Sequence, residues 1–210
     1  MNKLIKPLDS FNEVINVLLP HSELITTDLL TQGKSIKIDS EFLKIFLLDQ
    51  GYVNIRRIDD ELIIATLFSP YVIGLSFYPG AGIYYSIELG GNCKIYQIPR
   101  SSALSTIRTH NLYKEWLRIF SYKMSFLYAR DISIFRHNNR EVVYNLLSRL
   151  MNSPMEFRKN ITVIKYIEQR CTISRSCIQR VLLSLKKEGC IELVNGYLEK
   201  VLSLPTQSYY

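Results

Sequence analysis

Apolar positions near the start of the chain recur at helical spacing. Phe11, Val14, Ile15 and Leu18 share one face, and Ser10 with Glu13 three residues on has the form of a capping box. This predicts a first helix that starts at Ser10 and stops at Pro20. The period then shortens. "GYVNIRR" alternates, with Val53 and Ile55 on one side; "IDDE" is turn material; "LIIATLF" is a second strand. Turn signals at Ser69-Pro70, in "YPGAG" and in "GGN" set off "IYYSIEL" and "KIYQI". Several short strands at close spacing predict an antiparallel barrel or roll over residues 1–99.

From Pro99 the pattern is helical again. The stretch from Arg100 to Phe135 has no Gly and no Pro, which predicts one long helix over residues 100–135. Tyr113, Leu117, Phe120, Met124 and Leu127 follow steps of 4, 3, 4 and 3, the spacing of a heptad seam. Such a seam fits a helix lying on the roll, or a helix pairing with its copy in a second subunit. At 1.5 Å per residue the helix would reach about 50 Å, longer than the roll, and this favours pairing. "NNREVVYNLLSRLMNSP" predicts another helix, with Val143, Leu146, Leu147 and Leu150 inward, Asn138 or Asn139 as cap and Ser153-Pro154 as stop. A domain joint is expected around Phe135 to Asn139, which leaves residues 136–210 as a separate unit.

That unit has a definite order. A helix over about Thr162 to Gln169 is followed by the turn "RCTI". A second helix opens with Ser174 as N-cap and ends before Gly189, a natural C′ residue. "CIELV" and "YLEKV" flank Asn195-Gly196, the signature of a type I′ hairpin. Helix, turn, helix and hairpin make a winged helix-turn-helix. On a wheel of 100° per residue, Ile178, Val181, Leu182 and Leu185 fall within an arc of about 100°. Arg175, Ser176, Gln179 and Arg180 lie away from that arc, and Lys186 and Lys187 continue them. Leu183 is an exception inside the polar face. An arginine can contact guanine O6 and N7 in bidentate fashion, glutamine can pair with adenine, and serine suits base or phosphate. Lys165, Arg170 and the backbone N–H groups at the helix start suit phosphates. The expected DNA-contacting set is therefore Ser174, Arg175, Ser176, Gln179, Arg180, Lys165, Arg170 and Lys186.

Charge sharpens this picture. The chain carries a net +7, but residues 1–99 hold 8 Lys and Arg against 11 Asp and Glu, while residues 100–210 hold 18 against 8. The basic half is the half with the helix-turn-helix, as a polyanionic partner requires. The uncharged run from Leu62 to Ile87 is broken by Pro70, Gly74, Pro79, Gly80 and Gly82, so it is expected to form strands and not a membrane span. "MNKLIKPLDSFNE" lacks the apolar core of a signal peptide, and the expected setting is the cytoplasm. Cys93, Cys171, Cys177 and Cys190 form no zinc-ligand pattern, and His21, His110 and His137 stand apart from one another. No metal site, no cofactor and no enzyme activity is expected. A thiol-based redox switch at Cys171 or Cys177 is an alternative, as is a winged domain that docks a protein.

A roll, a long helix and a winged helix-turn-helix, in that order, resemble the Crp/Fnr transcription regulators. Their recognition helix typically opens Ser-Arg-x-x-(Val/Ile)-x-Arg, and "SRSCIQRVLLSL" fits at Ser174, Arg175, Ile178, Arg180, Val181, Leu182 and Leu185. "FSPYVIGL", "VIKYIEQR" and "GYLEKVLSLP" resemble segments of an enterobacterial group named for inhibition of hydrogen peroxide resistance. The resemblance implies an α+β protein with an antiparallel β-roll like a cyclic-nucleotide-binding domain. It implies a homodimer built on Tyr113, Leu117, Phe120, Met124 and Leu127, and base contacts from Arg175, Ser176 and Arg180. RNA polymerase as a protein partner and a role in the oxidative stress response go with it. Two departures stand out. Ser176 sits where many members have Glu, and Thr172 where a turn Gly is common, so a different DNA sequence is expected. There is also no Arg between Arg57 and Arg100, and Lys94 is the one Lys in that interval. The cation that would neutralise a cyclic phosphate is missing, and no cyclic nucleotide is expected as ligand.

Overall fold

The computed structural model describes residues 4–26, 35–36, 38, 43–76, 84–134 and 138–202. The "YPGAG" turn and His137 lie outside the described residues. The joint expected at 135–139 lies partly outside them too. The chain divides into two compact units, Met1–Leu127 and Tyr128–Tyr210.

The first unit begins with α1 (Leu8–Leu18), whose Phe11, Val14, Ile15 and Leu18 are buried as their spacing predicts. The capping box at Ser10 is not formed. The helix starts two residues earlier behind Pro7, and Ser10 is buried inside its first turn. Proline pre-sets φ and gives up an N–H that the first turn could not bond, so the chain enters the helix there instead. A 3₁₀ turn over Leu19–His21 follows, containing Pro20.

Among the described residues, eight strands then build two antiparallel sheets. They are β1 (Glu23–Leu24), β2 (Ser35–Ile36), β3 (Lys44–Gln50), β4 (Tyr52–Arg57), β5 (Ile63–Phe68), β6 (Tyr71–Ile73), β7 (Tyr85–Leu89) and β8 (Lys94–Pro99). One sheet runs β1-β8-β3-β6 and the other β2-β7-β4-β5. Strand β3 buries Ile45, Phe46, Leu47 and Leu48 in succession, so both its faces are covered. Strand β4 alternates, with Val53 and Ile55 inward, because only one of its faces meets the core.

The stretch expected as one helix is two: α2 (Arg100–Thr109) and α3 (Tyr113–Ile134). Asn111 takes φ +53 and ends α2. The Asn111 N–H donates to the Arg108 carbonyl and the Leu112 N–H to the Ile107 carbonyl, the paired bonds of a Schellman motif. Leu112 and Ile107 are both buried, which supplies the apolar contact that accompanies this motif. Asparagine tolerates the left-handed region, so it ends a helix without glycine. All five seam residues lie on α3, whose 22 residues span about 33 Å. Tyr113, Leu117, Phe120 and Leu127 are 49%, 64%, 39% and 49% exposed, while Ile119 on the opposite face is buried.

The roll side of α3 carries an unusual group. The Lys123 ammonium donates to the Val72 carbonyl at 2.7 Å, and the Lys6 ammonium donates to the Phe68 carbonyl at 2.7 Å. Both stand over the Tyr71 ring, at 5.4 and 5.2 Å from its centroid. Burial pulls Lys123 down to about 7 and Lys6 down to about 8. An unfolded lysine titrates near 10.4, so above about pH 7 the unfolded chain binds more protons than the folded one. Stability therefore rises as pH rises from about 7. We expect the melting temperature to climb between about pH 7 and about pH 9, and Lys123→Met to flatten the climb. A wild-type melting temperature that is level or falls over that range would contradict this account.

The second unit holds α4 (Asn139–Met151), α5 (Met155–Lys159), α6 (Val163–Glu168), α7 (Arg175–Lys187), β9 (Ile191–Val194) and β10 (Tyr197–Val201). Helix α4 is capped by Asn138, which accepts from the Arg140 N–H, and it buries Val142, Val143, Leu146, Leu147 and Leu150. Strands β9 and β10 form the expected hairpin. Asn195 and Gly196 take φ of +50 and +83, the left-handed pair of a type I′ turn. Among the described residues no helix is long and apolar enough to cross a membrane.

Candidate nucleic-acid interface

Helix α7 forms because its ends and its stripe agree. The Ser174 hydroxyl accepts from the Cys177 N–H at 3.4 Å, the expected N-cap. At the other end Gly189 takes φ +69. Its N–H donates to the Lys186 carbonyl, and the Cys190 N–H donates to the Leu185 carbonyl, a second Schellman motif. Between them Ile178, Leu182 and Leu185 are buried. Each contributes about 1.5–3 kcal/mol by leaving water, and together they lock the face that α7 turns outward.

That face is the polar arc. Ser174, Arg175, Ser176, Gln179, Arg180, Lys186 and Lys187 are all exposed. The Arg175 guanidinium meets the Glu168 carboxylate at 3.2 Å, across the turn from α6. Among the described residues Arg180 has neither ion pair nor hydrogen bond, and its donors face solvent. Ser174 uses its hydroxyl on the cap and also lies 3.3 Å from the Ser176 hydroxyl.

The two expected phosphate contacts divide. Lys165 is exposed on α6. Arg170 is 7% exposed. Its guanidinium stacks 3.7 Å from the Tyr166 ring centroid and donates to the Tyr166 carbonyl at 3.0 Å. The flat guanidinium finds an aromatic face and a backbone acceptor within one turn of helix, so it packs as core.

One functional pair was not legible beforehand. Arg140, at the start of α4, donates to the Ser184 hydroxyl at 3.0 Å and grips both oxygens of Glu188 in a bidentate pair. The Arg140 guanidinium, with help from the Ser184 hydroxyl, holds the Glu188 carboxylate down at about 2. This brace fixes the C-terminal half of α7 against α4. Its partners are 48 residues apart in sequence, with no local pattern linking them. Cys177, Arg140, Arg180, Val181 and Ser184 line a cleft of about 240 Å³ along the flank of α7. The Asn139 amide donates to the Cys177 sulfur there at 3.5 Å. Cys171 is half-buried; burial pushes its thiol up, and its Sγ lies 3.4 Å from the Ile167 carbonyl. Among the described residues no cluster of side chains could hold a metal ion.

Comparison with known proteins agrees with this geometry. Residues 140–206 match the family of winged helix-turn-helix DNA-binding domains. The protein named inhibitor of hydrogen peroxide resistance from Escherichia coli strain K12 is 28% identical over 210 residues, covering 99% of this chain and 100% of that one. Among solved structures, a cyclic nucleotide-binding domain containing protein from Listeria monocytogenes EGD-e aligns with TM-score 0.66 and 18% identity, over 91% of this chain and 96% of that one. A protein assigned to the crp/fnr family of transcriptional regulators, from Eubacterium rectale ATCC 33656, aligns with TM-score 0.59 and 15% identity, over 94% of each. At these identities the likeness is one of fold, and it spans the roll, the connecting helices and the winged domain. The chain therefore has the fold seen in that crp/fnr structure, and over residues 140–206 it carries a winged helix-turn-helix of the DNA-binding kind.

Proposed function

We propose that this protein is a homodimeric, sequence-specific DNA-binding transcription regulator that works without a cyclic nucleotide. The observation that carries the reading is the outward face of α7, where Arg175, Ser176, Gln179 and Arg180 stand exposed on a helix locked at both ends. An α-helix fits the major groove, and the residues near its N-terminus reach base edges. Two such helices, in a dimer paired along α3, would enter grooves about 34 Å apart and read a near-palindrome. Lys165 and Lys186 suit the flanking phosphates. The absence of Arg between Arg57 and Arg100 supports a sensor unit that takes no cyclic phosphate. RNA polymerase is the natural protein partner of such a regulator, and the cytoplasm its setting. The test is selection from random DNA duplexes at near-physiological salt. Enrichment of a two-fold-symmetric site supports the reading. Salt-sensitive binding without enrichment would overturn it and point to a winged domain that docks protein.

A second reading, a thiol switch, is favoured at one position. Cys177 lines the cleft beside Arg180 on the flank of α7, so an adduct on its sulfur would crowd the base-reading face. Cys171 is the weaker candidate, since burial disfavours its thiolate. On this reading peroxide releases the wild-type protein from its site, and Cys177→Ser protein stays bound. Equal release of both proteins, or of neither, removes the switch.

A further inference from the structure

We propose that Leu183 is a base-reading residue that selects thymine through its 5-methyl group. This rests on the DNA-binding reading above and deepens it.

Leu183 is 59% exposed, and it is the one large apolar side chain of α7 so exposed. Its place on the helix is specific. It points away from the buried stripe of Ile178, Leu182 and Leu185. Its neighbours one turn back are Gln179 and Arg180, and one turn forward Lys186 and Lys187, all exposed. Ser176 lies two turns back in the same row. Leu183 thus sits at the centre of the polar face, ringed by the side chains proposed to hold the duplex.

Neither folding nor helix formation calls for leucine there. The side chain is outside the core, and Lys, Arg, Gln or Glu would favour the helix about as well. In water the exposed isobutyl group contributes nothing. In the major groove its surroundings change. Every base edge there presents polar acceptors or donors, and the C5-methyl of thymine is the one apolar group in the pattern. Against adenine, guanine or cytosine, Leu183 would cover polar atoms and give them no partner, which is unfavourable. Against thymine it packs carbon on carbon. Arg180 and Leu183 are three residues apart, about 4.5 Å along the axis, so the leucine reads a base next to that of the arginine.

The experiment uses the full-length protein and its selected site, with each thymine replaced in turn by uracil. Uracil keeps the pairing and the O4 acceptor and deletes the methyl alone. We expect one thymine per half-site at which the wild type loses affinity about four-fold, the effect of one buried methyl. Leu183→Ala should bind the uracil and thymine sites equally, while still losing affinity on Arg180→Ala. A wild type indifferent to every uracil, or a Leu183→Ala protein with unchanged methyl dependence, overturns the inference and leaves the DNA-binding reading standing. If the wild type selects no sequence at all, both fall.

Discussion

Arg180→Ala protein is expected to lose most of its sequence discrimination while keeping its fold. A bidentate arginine–guanine contact is worth about 1–3 kcal/mol, and a dimer loses it twice, so affinity for the selected site falls by roughly 30-fold at least and by more than 10⁴-fold at most. Stability should not change, because Arg180 is exposed and outside the buried stripe of Ile178, Leu182 and Leu185. Arg175→Ala should cost less than Arg180→Ala. Arg175 is already engaged with Glu168 at 3.2 Å and must share or leave that partner to reach a base. The measurement is titration of wild type and variants on the selected duplex and on a scrambled one. If Arg180→Ala weakens both duplexes equally, the arginine holds phosphate and not a base, and the base-reading assignment fails.

Leu117→Glu protein is expected to be a monomer that no longer holds its operator. Leu117 is 64% exposed in the single chain, between Tyr113 and Phe120 on the seam of α3. Burying such a side chain against a copy contributes about 1.5–3 kcal/mol, and the substitution also faces two carboxylates toward each other across the axis. Each winged domain then binds its half-site alone, without the high effective concentration that its partner supplies, and affinity drops by at least about 100-fold. Circular dichroism should be unchanged, since the residue lies outside the core. Light scattering should report twice 24.5 kDa for the wild type and 24.5 kDa for the variant. A wild type of 24.5 kDa at micromolar concentration, or a Leu117→Glu protein that stays dimeric, would remove the seam from the interface.

The site was more legible than the frame around it. Ser174 as cap, Gly189 as C′ residue and Asn195-Gly196 as turn act through backbone conformations only a few residues wide, and all three occur where their residue types predict. The stripe of Ile178, Leu182 and Leu185 needs nothing but the helical period. The break at Asn111 carried a weaker local signal, because asparagine followed by an apolar residue ends a helix less often than glycine does. The start of α1 at Pro7 was obscured by a Ser10–Glu13 pair that matches a capping box by spacing alone.

Sequence by itself determined α4, α6, α7 and the β9–β10 hairpin, though not the short α5, together with the exposed basic face of α7 and the apolar seam of α3, because each of these follows from short-range backbone chemistry and a fixed period. Tertiary structure alone decided which cations face outward. Arg170 and Arg180 read alike along the chain, yet one stacks on Tyr166 in the core and the other stands in solvent. Arg140 and Glu188 became a brace for α7 only when folding brought together groups 48 residues apart. A side chain's partner depends on what packs beside it in space, and no period along the chain encodes that.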